Sequence, residues 1–165
     1  MDTVSFKPVK EFVSIADKIF QQQKKQILAE FPLADIQHIG STAIPGSITK
    51  GDLDIQVRVS KKEFEKAKKY FEKLYAVNQP ENWSDTFASF KNANSFEIPV
   101  GIQLTVIGSP YDNLFQSQLK LLIENPDILE EYNQMKRQFE GKNINDYYEE
   151  RLKFFDGLKS RGFLK

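Results

Sequence analysis

The chain contains no cysteine, which excludes disulfides, thiol nucleophiles and thiolate metal sites. It has a single histidine, His38, so a zinc site built from several histidines cannot form within one chain. Charge of one sign is also missing. The 23 basic side chains balance 23 acidic ones, so no whole-chain field draws the protein to nucleic acid or an anionic membrane. No apolar run approaches the ~20 residues of a membrane span, and Met1 to Lys10 lacks the apolar core of a signal peptide. These absences lead to the expectation of a soluble, cytoplasmic protein with no membrane partner. The 165 residues suit one ordinary domain with a full core.

What is present is concentrated in a short stretch. His38-Ile39-Gly40-Ser41 is followed ten residues later by Asp52-Leu53-Asp54. Gly40 lets the backbone approach a ligand closely, because it has no side chain in the way. Ser41 offers a hydroxyl and a neighbouring N–H to phosphate oxygens. Leu53 to Val59 alternates apolar and polar residues as a strand does, which puts Asp52 and Asp54 on one face about 7 Å apart. Two carboxylates so placed suit one hard cation, Mg²⁺ with Mn²⁺ as the alternative. Phosphate on one side and a divalent cation on the other describes a nucleotide site.

The same stretch resembles the signature of the DNA polymerase beta-like nucleotidyltransferase superfamily: an apolar residue, Gly, Gly or Ser, a spacer of about ten residues, then Asp, apolar, Asp or Glu. More narrowly, His38-Ile-Gly-Ser-Thr-Ala-Ile-Pro-Gly46 with Lys50 before the aspartates is similar to the GrpB-like family within it. Tyr132-Asn-Gln-Met-Lys136 and Tyr147-Tyr-Glu-Glu-Arg151 look like that family's C-terminal helices, so the resemblance runs from about Ile36 to Phe155. It implies that Asp52 and Asp54 are the catalytic metal ligands and that Gly40, Ser41 and Thr42 meet phosphates, with Lys50 either meeting a phosphate or pairing with Asp52. It also implies that Lys136 and Arg151 close over a triphosphate from the later helices. Thr42 is read as the cap of a short helix facing the phosphates, and His38 as a residue that positions the loop. Tyr132 and Tyr147 either stack on a base or pack in the core.

The rest of the chain reads as an α+β domain. Helices are expected over Lys10 to Glu30 and Lys61 to Leu74, and strands at Ile36 to Ile39, Leu53 to Val59, Thr86 to Phe90 and Gly101 to Ile107. Ala43 to Gly51 reads as a loop. Three helices follow at Leu114 to Ile123, Pro126 to Phe139 and Ile144 to Leu158, separated by Asn125-Pro126 and Gly141. The expected architecture is one nucleotidyltransferase-like domain over residues 1–165. It has a mixed, mainly antiparallel sheet with helices on one face, and residues 110–165 form its helical C-terminal part. The other face would carry a polar row of Asp52, Asp54, Gln103 and Arg58, which needs a ligand, a metal or water beside it.

Two departures from the family pattern matter. The superfamily's third carboxylate comes from a later strand, yet the polar positions of Gly101 to Ile107 are Gln103 and Thr105. Glu97 and Asp85 are the candidate substitutes. Phe115-Gln116-Ser117 stands where GrpB-like sequences resemble Phe-Arg-Asp, so a bidentate phosphate donor is missing, with Lys120 one turn on as partial compensation. The expected ligand is a nucleoside triphosphate, and the acceptor is an unidentified small molecule or protein. A nucleic-acid acceptor is disfavoured, because no basic extension exists to hold a strand. A nucleotide-sensing or protein-interaction module without catalysis is the alternative on the same fold.

Overall fold

The computed structural model describes residues 2–92 and 95–165. Its centre is a five-stranded sheet of β2 (Asp35–Ile39), β4 (Leu53–Val59), β5 (Ala76–Asn78), β6 (Phe87–Asn92) and β7 (Val100–Val106). The spatial order is β2-β4-β7-β6-β5. Strands β4 and β7 run parallel, and the other neighbours are antiparallel. A separate two-stranded ribbon joins β1 (Lys7–Pro8) to β3 (Ile48–Thr49). The sheet is therefore mixed and mainly antiparallel, as expected.

The apolar row of β4 drives the fold. Leu53, Ile55, Val57 and Val59 are almost wholly buried, and they pack with Ile102 and Leu104 of β7 against helices α1 (Val13–Glu30) and α2 (Lys61–Leu74). Helix α2 starts at Ser60, whose hydroxyl accepts from the Glu63 N–H at 3.3 Å. That satisfies one of the four orphan donors at a helix start. Its buried stripe is Phe64, Ala67 and Phe71, at helical spacing. Helix α1 ends at Glu30, just before Pro32, as the proline dictates.

Three helices follow β7: α3 (Pro110–Glu124), α4 (Pro126–Arg137) and α5 (Ile144–Ser160). They share a second apolar cluster that includes Leu122, Leu129, Tyr132, Phe155 and Leu158, with Val4 and Ile44 joining it from the N-terminal half. Proline occupies the first turn of α3 and α4, where its missing N–H costs nothing.

Several expectations shift. Helix α1 begins at Val13 rather than Lys10, because residues 9–11 form a 3₁₀ turn after β1. The Ala43 to Gly51 loop contains β3, which a two-residue pairing with Lys7–Pro8 creates and no local pattern announces. Strand β5 was not expected; it is short and largely exposed, so it shows no alternation. Helix α3 starts at Pro110, ahead of the apolar pattern at Leu114.

The largest correction concerns the polar row. Arg58 does not face a ligand. Helix α3 covers that end of the sheet and brings in Asp112, which is 0% exposed. Arg58 clamps it with two bonds, Nε to Oδ1 at 2.6 Å and a terminal nitrogen to Oδ2 at 2.9 Å. Gln56, Thr105 and the Gly108 N–H donate to the same carboxylate, and Arg58 also reaches Asp35 at 2.6 Å. These bonds hold the Asp112 carboxyl below the usual range, although burial alone would push it up. Helices therefore cover part of both sheet faces, and only the Asp54 end of the row opens to a cleft.

Candidate functional site

The Gly40-Ser41 turn and the start of β4 meet because β2 pairs antiparallel to β4, setting Ile39 opposite Asp54. Gly40 has φ 75° and ψ −175°, a region essentially reserved for glycine. A Cβ there would lie 2.5 Å from Oδ2 of Asp54, and one on Gly101 would lie 2.9 Å from Oδ1. The Asp54 carboxylate is thus seated between two glycines of flanking strands. The close approach expected at Gly40 is made by this side chain.

Asp54 is half-buried. Burial first, then the neighbouring Asp52 charge, push its carboxyl up to about 6, while Arg151 and Lys50 pull the other way. Asp52 is held by Lys50, whose ammonium donates to Oδ2 at 2.8 Å and to the Tyr148 hydroxyl at 3.1 Å. Burial lowers the Lys50 ammonium, but Asp52 and Tyr148 outweigh it and the net shift is upward.

Helix α4 closes over the turn. Asn133 accepts from the Ile48 N–H and donates to the Gly46 carbonyl, both at 3.0 Å. One turn on, Lys136 is 0% exposed. Its ammonium donates to Ser41 Oγ and to the Ile48 carbonyl, both at 2.7 Å, and lies 4.0 Å from the centre of the Tyr132 ring. Burial brings it down to about 8, with Arg151 and Lys50 adding to the effect and Tyr132 opposing it. Helix α5 supplies Arg151, whose Nε donates to the Tyr132 hydroxyl at 3.1 Å. Among the described residues neither Lys136 nor Arg151 forms an ion pair with a carboxylate. Two aspartates and two cations that form no ion pair therefore line one cleft of about 860 Å³.

Of the residues singled out from sequence, Ser41, Lys50, Asp52, Asp54, Lys136 and Arg151 line this cleft, and Gly40 lines a recess that opens from it. Tyr132 and Tyr147 line it too, though both are also packed, Tyr132 against Phe154 and Tyr147 against Phe6. Thr42 and His38 do not line it. The Thr42 hydroxyl donates to the Asp52 carbonyl at 3.0 Å, and His38 Nε2 lies 2.8 Å from the Thr42 hydroxyl oxygen. With the single hydroxyl proton committed, His38 is the donor in that contact. This relay ties the turn to the aspartate strand. Thr42 therefore faces inward rather than toward phosphates, and the cap position of the 3₁₀ turn Ser41–Ala43 belongs to Gly40. Burial lowers the His38 imidazole, partly offset by Asp17.

The residue opposite Asp54 on β7 is Gly101, and Gln103 is the next on that face. Neither candidate substitute for a third carboxylate reaches the cleft: Asp85 pairs with Lys61 and Glu97 with Lys18, both on the surface. Among the described residues no group of three or more acidic, histidine or cysteine side chains gathers at one point. Gln116 donates to Gln56 at 2.6 Å and so belongs to the Arg58–Asp112 network. Lys120 is exposed and lines neither cavity. Sequence reasoning missed Asp112 and the partnership of Lys50 with Tyr148. Only the Ser-Pro-x-Asp start of α3 hinted at the first, and it suggests no partner.

A mixed, mainly antiparallel sheet flanked by helices, with an aspartate pair facing the buried Lys136 and the more exposed Arg151, defines an α+β protein with one charged cleft. The chain belongs to the GrpB family, whose model, described as GrpB protein, matches residues 9–161. A UPF0157 protein of Vibrio cholerae is 29% identical over 155 residues, covering 94% of this chain and 81% of the relative. The crystal structure of the conserved protein GrpB from Enterococcus faecalis superposes with a TM-score of 0.61 at 19% identity, over 74% of this chain and 76% of that one. At that identity the likeness carries the fold. No helix among the described residues is long and apolar enough to cross a membrane.

Proposed function

We propose that the cleft binds a nucleoside triphosphate with Mg²⁺, as in nucleotidyltransferases, and transfers a nucleoside monophosphate to a small-molecule or protein acceptor. The observation that carries this reading is the charge arrangement: Asp52 and Asp54 beside a buried Lys136 that has no carboxylate partner. Burying a charge is costly unless something compensates it. A polyphosphate compensates Lys136 and Arg151, and a divalent cation compensates the aspartate pair. Both arrive together in a metal–triphosphate complex.

The donor set fits the ion, since Mg²⁺ commonly takes one or two carboxylates and completes its shell with phosphate and water. Asp52 and Asp54 would hold it, and bound there it would offset charge on the phosphate oxygens. The chain's own groups do the rest. Lys136 and Ser41 fix the phosphates from one side and Arg151 from the helix above. Asn133 and the Thr42 relay keep the turn rigid, as catalysis by positioning requires. In the transfer, an acceptor oxygen bonds to the α-phosphorus, the bond from that phosphorus to the bridging oxygen breaks, and pyrophosphate leaves. The acceptor proton passes to water, because Gly101 and Gln103 put no third carboxylate there.

Gln103 also favours a second reading, a nucleotide-binding module without transfer. Thermal denaturation against a panel of nucleoside triphosphates, with and without Mg²⁺, tests the site. Ligand at about a hundred times its dissociation constant adds roughly 2.7 kcal/mol, a rise of about 5–10 °C for a domain of this size. A Mg²⁺-dependent rise that disappears in Asp54→Asn is expected. No rise with any nucleotide overturns the reading. Label incorporated from an α-labelled triphosphate, and lost in Asp54→Asn, separates transfer from binding alone.

A further inference from the structure

Beyond the phosphate end, a recess of about 280 Å³ opens from Gly40, Ser41 and Asp54. Its floor is apolar and aromatic: Ile44, Phe87, Tyr111, Phe115, Leu119 and Leu122. Phe87 and Tyr111 stack at 4.1 Å, with Phe115 at 5.7 Å from Tyr111. Four amides, Gln103, Gln118, Gln79 and Asn82, line it beside Tyr132 and Arg151. Lysines line only the larger cleft, and Ile44, Phe87, Leu119 and Leu122 line only the recess, whereas the amides, Tyr111 and Phe115 line both.

The amides stand apart from others on the same face. Gln56 is fully buried and its amide bonds Thr105, Asp112 and Gln116. Gln103, its neighbour on β7, and Gln118 of α3 use no side-chain hydrogen bond among the described residues. The mouth is strained as well. Gln79, at φ 46°, is the one non-glycine residue with positive φ among the described residues, and it opens the 3₁₀ turn Pro80–Asn82 that carries Asn82. Such strain tends to mark ligand-contacting segments.

We infer that this recess takes the nucleobase of the bound nucleotide, held between aromatic rings and read at its edge by the uncharged amides of Gln103 and Gln118. The inference rests on the nucleotide reading of the cleft. Three features favour a base over other occupants. An amide is both donor and acceptor, and it matches a neutral heteroaromatic edge better than a charged acceptor. The volume is near the lower limit of ligand cavities, ~300 Å³, which suits one ring system rather than a whole nucleotide. The recess also shares Ser41, Asp54, Tyr132 and Arg151 with the phosphate end, so a base there connects directly to phosphates at Lys136. In this account Gln103 stands on the third-carboxylate strand as a base-reading residue.

Calorimetric titration of the full chain with Mg²⁺, using the four common nucleoside triphosphates and inorganic tripolyphosphate, tests the recess separately from the phosphate cleft. Stacking on aromatic rings supports a preference of about ten- to a hundredfold for at least one nucleotide over tripolyphosphate. Gln118→Trp, which fills the recess, is expected to abolish that preference and leave tripolyphosphate affinity unchanged. Gln103→Leu is expected to narrow it and to alter the ranking of bases, and it serves if the tryptophan variant melts early. Equal affinity of every nucleotide and tripolyphosphate, or a preference untouched by both substitutions, overturns the recess and leaves the phosphate cleft standing. Binding of neither ligand class overturns both.

Discussion

Two ends of one sheet face carry the same kinds of residue and do opposite things with them. At one end Arg58 and Asp112 meet in a two-pronged pair, with Gln56, Thr105 and a backbone N–H completing the carboxylate. At the other, Asp54 faces glycines, and Lys136 has neutral partners only. The first end is closed by α3 and internally satisfied. The second is held open: Asp52 pairs with Lys50, while Asp54, Lys136 and Arg151 line the same cleft with no ion pair among the described residues. Buried charge that is matched reads as architecture, and buried charge kept apart from its complement reads as a place for a ligand.

Breaking the closed end should have the largest effect. Asp112→Ala leaves the Arg58 guanidinium with Asp35 as its one remaining carboxylate partner, and strips Gln56 and Thr105 of an acceptor. Removing one partner of such a pair costs about 3–5 kcal/mol. Urea denaturation should show a loss in that range, and a loss below about 1 kcal/mol would remove the distinction between the two ends.

The open end should respond with the opposite sign. In metal-free protein, Asp54→Asn relieves a half-buried carboxylate of its repulsion with Asp52, and a gain of about 1–2 kcal/mol at neutral pH is expected, judged from the direction and size of the Asp54 shift. The same variant should lose any Mg²⁺–nucleotide response. Gains in stability that cost function are common where a site holds strain. A destabilised Asp54→Asn protein with an intact ligand response contradicts the assignment.

The smallest effect is a pH dependence at Lys136. Burial brings its ammonium down to about 8 in the folded chain, against 10.5 for an ordinary lysine. Between those values the unfolded chain holds the extra proton, so this group makes stability rise with pH across the window. Below pH 8 the lysine is charged in both states and the full burial cost is present. Lys136→Met should therefore be more favourable near pH 7 than near pH 10, by about 1 kcal/mol. Triphosphate affinity in the native chain should weaken as pH passes 8. Parallel stability curves for the two proteins would place Lys136 in an environment no different from water.

Much of the frame was legible because it repeats locally. The alternation of Leu53, Ile55, Val57 and Val59, the helical stripe of α2 and the prolines at α3 and α4 each carry their own signal. Strands β1, β3 and β5 were not legible, since each is two or three residues long and exists through its partner. At the cleft, the spacing of Gly40, Ser41, Asp52 and Asp54 was readable in one stretch of chain. The inward turn of Thr42 was not, because its hydroxyl is claimed by a carbonyl ten residues away.

The sequence by itself determined the α+β frame, the GrpB-like motif and the placement of two aspartates on one side of β4, all properties of residues close together in the chain. Only the tertiary structure decided which charges find partners. Arg58 and Asp112 are separated by 54 residues and Ser41 and Lys136 by 95, distances over which no local pattern can signal pairing. Whether a lysine 0% exposed meets a carboxylate or only a hydroxyl and a carbonyl depends on how α4 docks. That docking is set by long-range packing and by the hydrogen bonds of Asn133.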